Sequence, residues 1–379
     1  MISCGEASGD LYAGALIGAM RDLVPAIEVF GFGGGRMEAA GARLVGDYRG
    51  FSVTGLVEAL RVLPKSWKML RTLTAEAERV RPDVFVAIDF PDFNFRLLPV
   101  MKRLGVPVVY YVSPQLWAWR PGRLETLKQY VSRMLVIFPF EPTIYEKAGV
   151  PVEFVGHPLV DLAVSGRGRN EILTAAGLDP GKPVVALLPG SRPNELTQIL
   201  PTLADAAILI RRQVPEAQFL VARAPALDEA LFAPLERLRQ AAIPCSVLTS
   251  AADDVLSAAD VVVTASGTAT VQAALHGRPM VIVYRLAPLT FAIGRRFVRV
   301  HSYGMVNLVA GEPVVPELIQ DAFTPESVAR ETVLLMTDAP RAAAMRDALA
   351  GVRARLGAPG ASARAAAAVL KEAGALFER

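Results

Sequence analysis

Short apolar runs alternate with longer segments of helical periodicity through most of the chain. Runs such as Val84–Ile88 are apolar at every position, which is typical of parallel strands covered by helices on both faces. The runs predict strands at Ala26–Phe32, Val84–Ile88, Val106–Tyr111, Arg133–Ile137, Val152–Phe154, Val184–Leu188, Ala217–Ala222, Ser246–Leu248, Val261–Val263 and Met280–Tyr284. Strands in regular alternation with helices predict a doubly wound α/β fold.

Two breaks divide this pattern into two series of strands. Ser165–Asn170 is polar and rich in glycine, and Gly177–Pro183 precedes a fresh strand. A chain of 379 residues is also long enough for two domains. We therefore predict an N-terminal domain over 1–160 and a second domain over 161–322. Beyond 322 an Ala- and Arg-rich segment predicts a helical tail, 323–379, which returns to the first domain or to a partner chain.

Charge and cysteine content narrow the class of protein. The 40 Lys and Arg nearly balance the 37 Asp and Glu, so the net charge of +3 does not indicate a nucleic-acid-binding protein. Cys4 and Cys245 lie too far apart in the sequence to suggest a disulfide framework or a paired-cysteine zinc site, which favours a reducing compartment. We expect no signal peptide, because the first residues lead directly into a glycine-containing turn and not into a basic segment followed by an apolar one. We also expect no membrane span, because no uninterrupted apolar run reaches about twenty residues.

The first candidate site in the N-terminal series is Gly5–Asp10, which follows a short strand and opens a helix. A glycine-containing turn at a helix N-terminus suits phosphates or sugar hydroxyls, and Glu6, Ser8 and Asp10 are its polar side chains. The spacing is not that of a dinucleotide-binding turn. An ordinary tight turn is the alternative, in which these residues only shape the loop.

Asp89 directly follows the predicted strand Val84–Ile88. A carboxylate at this end of a parallel strand points into the crevice where doubly wound proteins bind ligands, so Asp89 is a candidate general base. The alternative is that Asp89 caps the following turn. We expect Asp92 and Asn94 to shape the loop.

Two further strand ends in the second series carry polar loops. After Val184–Leu188, Gly190 and Ser191 offer backbone donors and Arg192 offers a planar cation suited to a diphosphate; pairing of Arg192 with Glu195 is the alternative. After Val261–Val263, small residues at a helix start suit a phosphate, and a plain helix cap is the alternative. The candidates in this second loop are Ser266, Gly267 and Thr268.

No metal or cofactor is predicted. The three histidines, His157, His276 and His301, share no metal-ligand spacing. His157 lies at the predicted domain boundary, where we expect a structural or hydroxyl-contacting role.

Two segments, Leu56–Leu73 and Leu286–His301, interleave apolar and basic residues in the pattern of helices that lie on a membrane surface. In the first, Leu63, Trp67 and Leu70 are the candidate membrane contacts. A core-facing helix would explain either segment equally well.

The motifs taken together resemble those of the lipid-A-disaccharide synthase family from residue 5 to about 320. The matching motifs are Gly5–Asp10, Asp89–Asn94, Ser113–Trp119, Pro139–Glu141, Phe154–Pro158, Leu187–Arg192, Ser266–Thr270 and Val315–Leu318. The resemblance implies two Rossmann-like domains facing a cleft, the glycosyltransferase-B fold. It also implies an inverting, cofactor-free transfer from UDP-2,3-diacylglucosamine to 2,3-diacylglucosamine 1-phosphate in lipid A biosynthesis.

The resemblance extends to individual residues and to partners. It implies that Asp89 is the base, that Arg192 contacts the diphosphate and that Asn307 is a further functional polar residue. Gln272 stands where the family usually carries a glutamate able to contact the ribose. The implied setting is the cytoplasmic face of the inner membrane of a Gram-negative bacterium, on an anionic lipid surface and without nucleic acid; a homodimer is compatible with it. The alternatives are a UDP-N-acetylglucosamine 2-epimerase, a lipid-linked muramyl-pentapeptide transferase, or a non-catalytic binding protein.

Overall fold

The chain forms two compact units, each with its own sheet and core. The computed structural model describes residues 1–49, 56–114, 121–225, 227–285, 302 and 304–375, with the backbone alone at 56–62 and 121. Unit 1 consists of Met1–Pro158 together with Leu356–Arg379, and unit 2 consists of Leu159–Arg355. The chain therefore leaves unit 1 once and returns to it at its C-terminus.

Unit 1 alternates strands and helices along the chain. Its described elements are β1 (Ile2–Cys4), α1 (Ala7–Leu23), β2 (Phe30–Gly33), α2 (Gly35–Ala39), β3 (Arg43–Asp47), α3 (Leu56–Val80), β4 (Phe85–Ile88), α4 (Pro91–Leu104), β5 (Val108–Tyr111), α5 (Leu124–Tyr130), β6 (Arg133–Val136), α6 (Glu141–Lys147) and β7 (Val152–Phe154). These strands form a parallel sheet in the order β3-β2-β1-β4-β5-β6-β7. The central strands β1, β4 and β5 are buried along their whole length, as strands covered on both faces must be.

Unit 2 repeats the same plan. Its described elements are α7 (Leu159–Leu162), α8 (Arg169–Ala175), β8 (Val184–Leu188), α9 (Pro193–Gln213), β9 (Gln218–Arg223), α10 (Glu236–Gln240), β10 (Cys245–Thr249), α11 (Ala252–Ala258), β11 (Val261–Ala265), α12 (Thr268–Leu275), β12 (Met280–Tyr284), α13 (Met305–Ala310), β13 (Glu317–Ile319), α14 (Pro325–Thr337) and α15 (Ala339–Arg355). The parallel sheet has the order β10-β9-β8-β11-β12-β13. Two doubly wound α/β units confirm the predicted fold class.

The helices after residue 322 are divided between the two units, and the last of them belongs to unit 1. Helices α14 and α15 belong to unit 2, whereas α16 (Ala361–Glu372) packs against α1 in unit 1. Glu372 accepts a hydrogen bond from Arg133 Nε at 2.8 Å, and Arg364 Nε donates to the Val155 carbonyl at 2.9 Å. The last helix is thus fixed to the edge of the unit 1 sheet at β6 and β7.

One residue of α3 that was predicted to contact the membrane, Leu70, lies in the core instead. Leu70 is only 6% exposed and packs in the unit 1 core with Leu73 and Ala77, so it does not face a membrane. Leu63 and Trp67, two turns and one turn nearer the helix start, are 38% and 54% exposed. The same apolar stripe is therefore core in the C-terminal half of the helix and surface at these two residues.

Candidate functional site

The order of the unit 1 sheet reverses between β1 and β4. These strands are neighbours, with Cys4 paired to Ile88, and the chain continues from β1 to β2 on one side and from β4 to β5 on the other. The loops after β1 and β4 therefore begin side by side at the carboxyl edge of the sheet. In open α/β sheets this switch point is where ligands bind. Glu6 and Asp89 both lie there.

Asp89 has a left-handed backbone, with φ of 44°, and Phe90 follows with φ of 49°. Such conformations are unfavourable for residues other than glycine and persist where the surroundings hold them. Two donors hold this turn: the Tyr110 hydroxyl and Asn94 Nδ2 donate to the Asp89 carbonyl at 2.7 and 2.8 Å. Burial raises the pKa of Tyr110, which keeps its proton available for the bond. The half-buried Asp89 side chain is thus presented from a fixed turn.

The ring of Phe90 lies directly over Gly5. A Cβ atom at Gly5 would come within 2.2 Å of that ring, so only glycine fits. Phe90 also stacks on Phe93 with ring centroids 5.3 Å apart. This aromatic contact joins the loop after β1 to the loop after β4, which explains the glycine of the first motif.

Asn94 and Asp92, in the first turn of α4, both contact other parts of the chain. Asn94 is fully buried, and its Oδ1 accepts a hydrogen bond from the Ser3 hydroxyl at 2.7 Å. The exposed side chain of Asp92 pairs with Arg123 at 2.8 Å. The Asn94 contact ties the start of α4 to β1.

Asp10 is buried and connects two helices. Its carboxylate accepts from the backbone N–H groups of Gly34, Arg36 and Met37 at 2.9, 2.9 and 3.0 Å. It therefore caps the start of α2, where a negative charge is stabilised. Glu6 and Ser8 differ from it, because both are half-buried at the start of α1 on the edge that carries Asp89.

His157 is buried against aromatic rings. Its imidazole meets the edges of Tyr12 and Phe138 at centroid distances of 6.1 and 5.2 Å. Burial lowers the pKa of His157 to about 3, because the charged form loses its hydration. The ring is neutral at pH 7 and packs against these two aromatic side chains.

Unit 2 has its own switch point, between β8 and β11. Leu188 pairs with Thr264, so the loops that follow these strands again begin side by side. The first loop carries Gly190, Ser191 and Arg192, and the second carries Ser266–Thr268. Sequence motifs about 75 residues apart are thereby brought to one edge of the sheet, as expected for strand ends in this fold.

Arg192 pairs with Glu195 across the first turn of α9. Its Nη1 lies 3.1 Å from Glu195 Oε1, while Glu195 Oε2 accepts from the backbone N–H groups of Ser191 and Arg192 at 2.9 and 3.2 Å. Gly190, with φ of 120°, leaves room for that carboxylate. The alternative pairing considered from the sequence is thus present, and the first turn of α9 is already occupied by an internal carboxylate.

The start of α12 is arranged differently. Gly267 is its N-cap with φ of 147°, and within the described ranges no side chain caps it. Gly267 and Thr268 are exposed, whereas Thr270 turns inward and donates to the Gly267 carbonyl at 2.7 Å. Helix N-termini carry partial positive charge and unpaired N–H groups, so this end suits an anionic ligand.

Gln272, one turn further along α12, contacts a residue that the sequence did not single out. Its Nε2 donates to Asp253 Oδ1 at 3.2 Å, and His276 Nε2 lies 3.0 Å from the same oxygen. Asp253 lies on α11. No local pattern could have found this group, because the contact depends on how α11 packs beside α12.

Asn307 is buried and its amide is engaged by the chain itself. Nδ2 donates to the Val315 carbonyl at 2.9 Å and to Glu317 Oε1 at 2.7 Å, and Oδ1 accepts from Val315 N–H at 3.0 Å. These bonds hold the loop between α13 and β13. They favour a loop-holding function over contact with a reacting group.

Several predicted features lie outside the described residues. They include most of Ser113–Trp119 and all of the second basic segment, Leu286–His301. Among the described side chains, no group of three or more His, Cys, Asp or Glu could hold a metal ion. None of the described helices is both long enough and apolar enough to cross a membrane.

Comparisons with known proteins agree along the whole chain. A family model described as lipid-A-disaccharide synthetase matches residues 1–370. A lipid-A-disaccharide synthase of Koribacter versatilis is 46% identical over 94% of this chain and 92% of its own length. That of Geobacter metallireducens is 44% identical over 99% of this chain and 97% of its own. The resemblance seen in the motifs is thereby confirmed.

The fold is also found in a solved structure. The glycotransferase of kitacinnamycin superposes with a TM-score of 0.65 at 20% identity, covering 98% of both chains. At this identity the likeness concerns the architecture of two doubly wound units. The family assignment rests on the closer relatives.

Proposed function

The chain belongs to the lipid-A-disaccharide synthase family of glycosyltransferases, and from this premise we propose that it joins UDP-2,3-diacylglucosamine to 2,3-diacylglucosamine 1-phosphate. The products are a β-1,6-linked disaccharide 1-phosphate and UDP. The observation that carries the proposal is identity above 40% to named synthases over nearly the full chain. Likeness of fold alone would not separate this activity from that of other UDP-sugar enzymes.

Asp89 is the proposed general base. Its carboxylate removes the proton from the acceptor 6-hydroxyl while that oxygen attacks the anomeric carbon, and UDP leaves from the opposite face. One displacement inverts the configuration. The fixed turn at the unit 1 switch point supports this role, because a base must be held within hydrogen-bonding reach of the hydroxyl. Glu6 and Ser8, on the same edge, are the proposed acceptor contacts.

Unit 2 is proposed to bind the UDP-sugar. The exposed start of α12, with Ser266, Gly267 and Thr268, would receive the diphosphate through backbone N–H groups. Arg192 would stabilise charge developing on the leaving group, and its planar fork can engage two phosphate oxygens. To do so its guanidinium must share or exchange the bond to Glu195. Gly190 and Ser191 complete this side of the proposed site.

The enzyme is proposed to work on an anionic membrane surface at the cytoplasmic face of the inner membrane, because its substrates carry acyl chains. Leu63 and Trp67 offer an exposed apolar patch, with Lys65 and Lys68 exposed beside them. The guanidinium of Arg96 lies over the Trp67 ring at 4.8 Å. Apolar insertion with a basic rim would hold the protein reversibly on lipid.

A two-substrate assay tests the proposed reaction. Purified protein is incubated with UDP-diacylglucosamine, with the monosaccharide phosphate, or with both, and released UDP is measured. UDP should appear only when both are present. An epimerase would act without the acceptor, and a binding protein would release no UDP; either result would contradict the proposal.

A further inference from the structure

Asp253 lies at the edge of the unit 2 sheet where we propose that the nucleotide binds. It sits in the first turn of α11, which begins just after β10. In a parallel sheet all strands end at the same edge, so Asp253 is at the edge that carries Ser191 and Ser266. No motif in the sequence marks it.

The carboxylate of Asp253 is held on one side and open on the other. Both Gln272 Nε2 and His276 Nε2 lie within hydrogen-bonding distance of Oδ1, at 3.2 and 3.0 Å. Within the part of the chain that the structure describes, Oδ2 has no hydrogen-bond partner, and the side chain is 25% exposed. One carboxylate oxygen is therefore oriented by the protein while the other is available to a ligand.

Spacing along α12 connects this carboxylate to the proposed diphosphate position. Thr268, Gln272 and His276 are four residues apart and share one face of the helix. At 1.5 Å per residue, Gln272 is about 6 Å beyond the helix start. A nucleotide whose diphosphate rests on that start has its ribose a few bonds away, beside Gln272. The amide donor of Gln272 is turned to Asp253, which leaves the carboxylate as the charged acceptor at this point.

We infer that Asp253 binds the ribose 2′- and 3′-hydroxyls of the nucleoside diphosphate, and that Gln272 and His276 position its carboxylate. The inference rests on the proposed function. A carboxylate accepts from both hydroxyls of a diol, and hydrogen bonds to a charged group are the stronger kind. Gln272 then needs no charge of its own, because Asp253 on the neighbouring helix α11 supplies the negative charge. The competing explanation is that Asp253 only ties α11 to α12.

Ligand binding separates these explanations. Titration calorimetry measures the affinities of the wild-type protein and of Asp253→Asn for UDP and for 2′,3′-dideoxy-UDP. The wild type should prefer UDP by about tenfold to a hundredfold. Asp253→Asn should lose most of that preference through weaker binding of UDP, with little change for the dideoxy compound. A purely structural tie would leave the preference intact, or weaken both ligands equally.

A charge swap supplies the positive control. Because Asp253 and Gln272 are in contact, Asp253→Asn combined with Gln272→Glu moves the carboxylate to the partner side chain and should restore much of the preference. Asp254→Asn is the matched control, since that neighbouring carboxylate accepts from the Ser165 hydroxyl at 2.7 Å and lies 3.6 Å from Arg167 Nη1. It should retain the wild-type preference.

The outcomes are distinct. If the wild type binds UDP and its dideoxy form equally, or if the charge swap fails to restore a preference that Asp253→Asn abolished, the ribose assignment is overturned while UDP binding stands. If the wild type binds neither nucleotide, the proposed function fails together with the inference. Should Asp253→Asn not fold, the comparison of the wild type with the charge swap on the same two ligands still decides the question.

Discussion

Removal of the Asn94 side chain should both destabilise unit 1 and impair catalysis, because this amide holds the turn that presents Asp89. Asn94→Ala deletes the bond to the Asp89 carbonyl at 2.8 Å and the bond from the Ser3 hydroxyl at 2.7 Å. It also leaves the buried Ser3 hydroxyl without that partner. At about 1 kcal/mol for the lost bond to the Asp89 carbonyl and about 1–3 kcal/mol for the buried Ser3 hydroxyl left unsatisfied, the expected loss is roughly 2–4 kcal/mol.

Stability is measured by thermal melting, where that loss corresponds to a fall of about 5–15 °C in Tm. Ser3→Ala combined with Asn94→Ala should cost less than the sum of the single variants, since the stranded hydroxyl is gone. Turnover should fall by up to about 10²-fold, the general cost of misplacing a catalytic group by about 1 Å, while affinity for UDP stays unchanged because unit 2 is untouched. An Asn94→Ala protein with wild-type melting and wild-type turnover would refute this account of the Asp89 turn.

Three further predictions follow from the described contacts. Arg192→Ala should reduce turnover strongly, and Arg192→Lys should restore it only in part because a point charge cannot reproduce the planar fork of arginine. Excess EDTA should leave the wild-type rate unchanged. Full rescue by lysine or a strict need for Mg²⁺ would count against the leaving-group assignment. Leu63→Ser combined with Trp67→Ser should weaken co-sedimentation with anionic vesicles at constant Tm. The core control Leu70→Ser should instead lose about 2–5 kcal/mol of stability. Equal vesicle binding by the wild type and the double variant would exclude this surface as a membrane contact. Burial lowers the pKa of His157 to about 3 from an unfolded value near 6.5, so its contribution to the free energy of unfolding is complete above pH 6.5 and is lost on acidification towards pH 3, at up to about 1.4 kcal/mol per pH unit. His157→Gln should therefore show a flatter acid-unfolding curve. An unchanged slope would contradict the burial argument.

The sequence predicted the fold well where strands are uniformly apolar. Val184–Leu188 and Met280–Tyr284 have the predicted bounds, because burial on both faces leaves a continuous apolar signal. The strands Arg43–Asp47 and Glu317–Ile319 were missed. The first is only partly buried and contains glycine, and the second has three residues, so neither produces that signal.

The candidate site was predictable to the extent that it lies at strand ends. Asp89 and Ser266 follow buried strands, and parallel topology then fixes their edge. Contacts between distant segments were not predictable. Leu70 and Trp67 share one apolar stripe, and only the tertiary packing of unit 1 makes one core and the other surface. The inferred role of Asp253 depends on its contact with Gln272, which is nineteen residues away on another helix.

The turnover of Asp89→Asn in the two-substrate assay tests the catalytic account most directly, with Asp92→Asn as a matched control from the same loop. Removal of a general base should lower the rate of UDP release about 10²–10⁴-fold while calorimetric affinity for UDP stays near the wild-type value. Asp92→Asn, whose side chain is exposed and paired with Arg123, should remain within a few fold of wild type. Near-normal turnover of Asp89→Asn with intact UDP binding would contradict the assignment of the base.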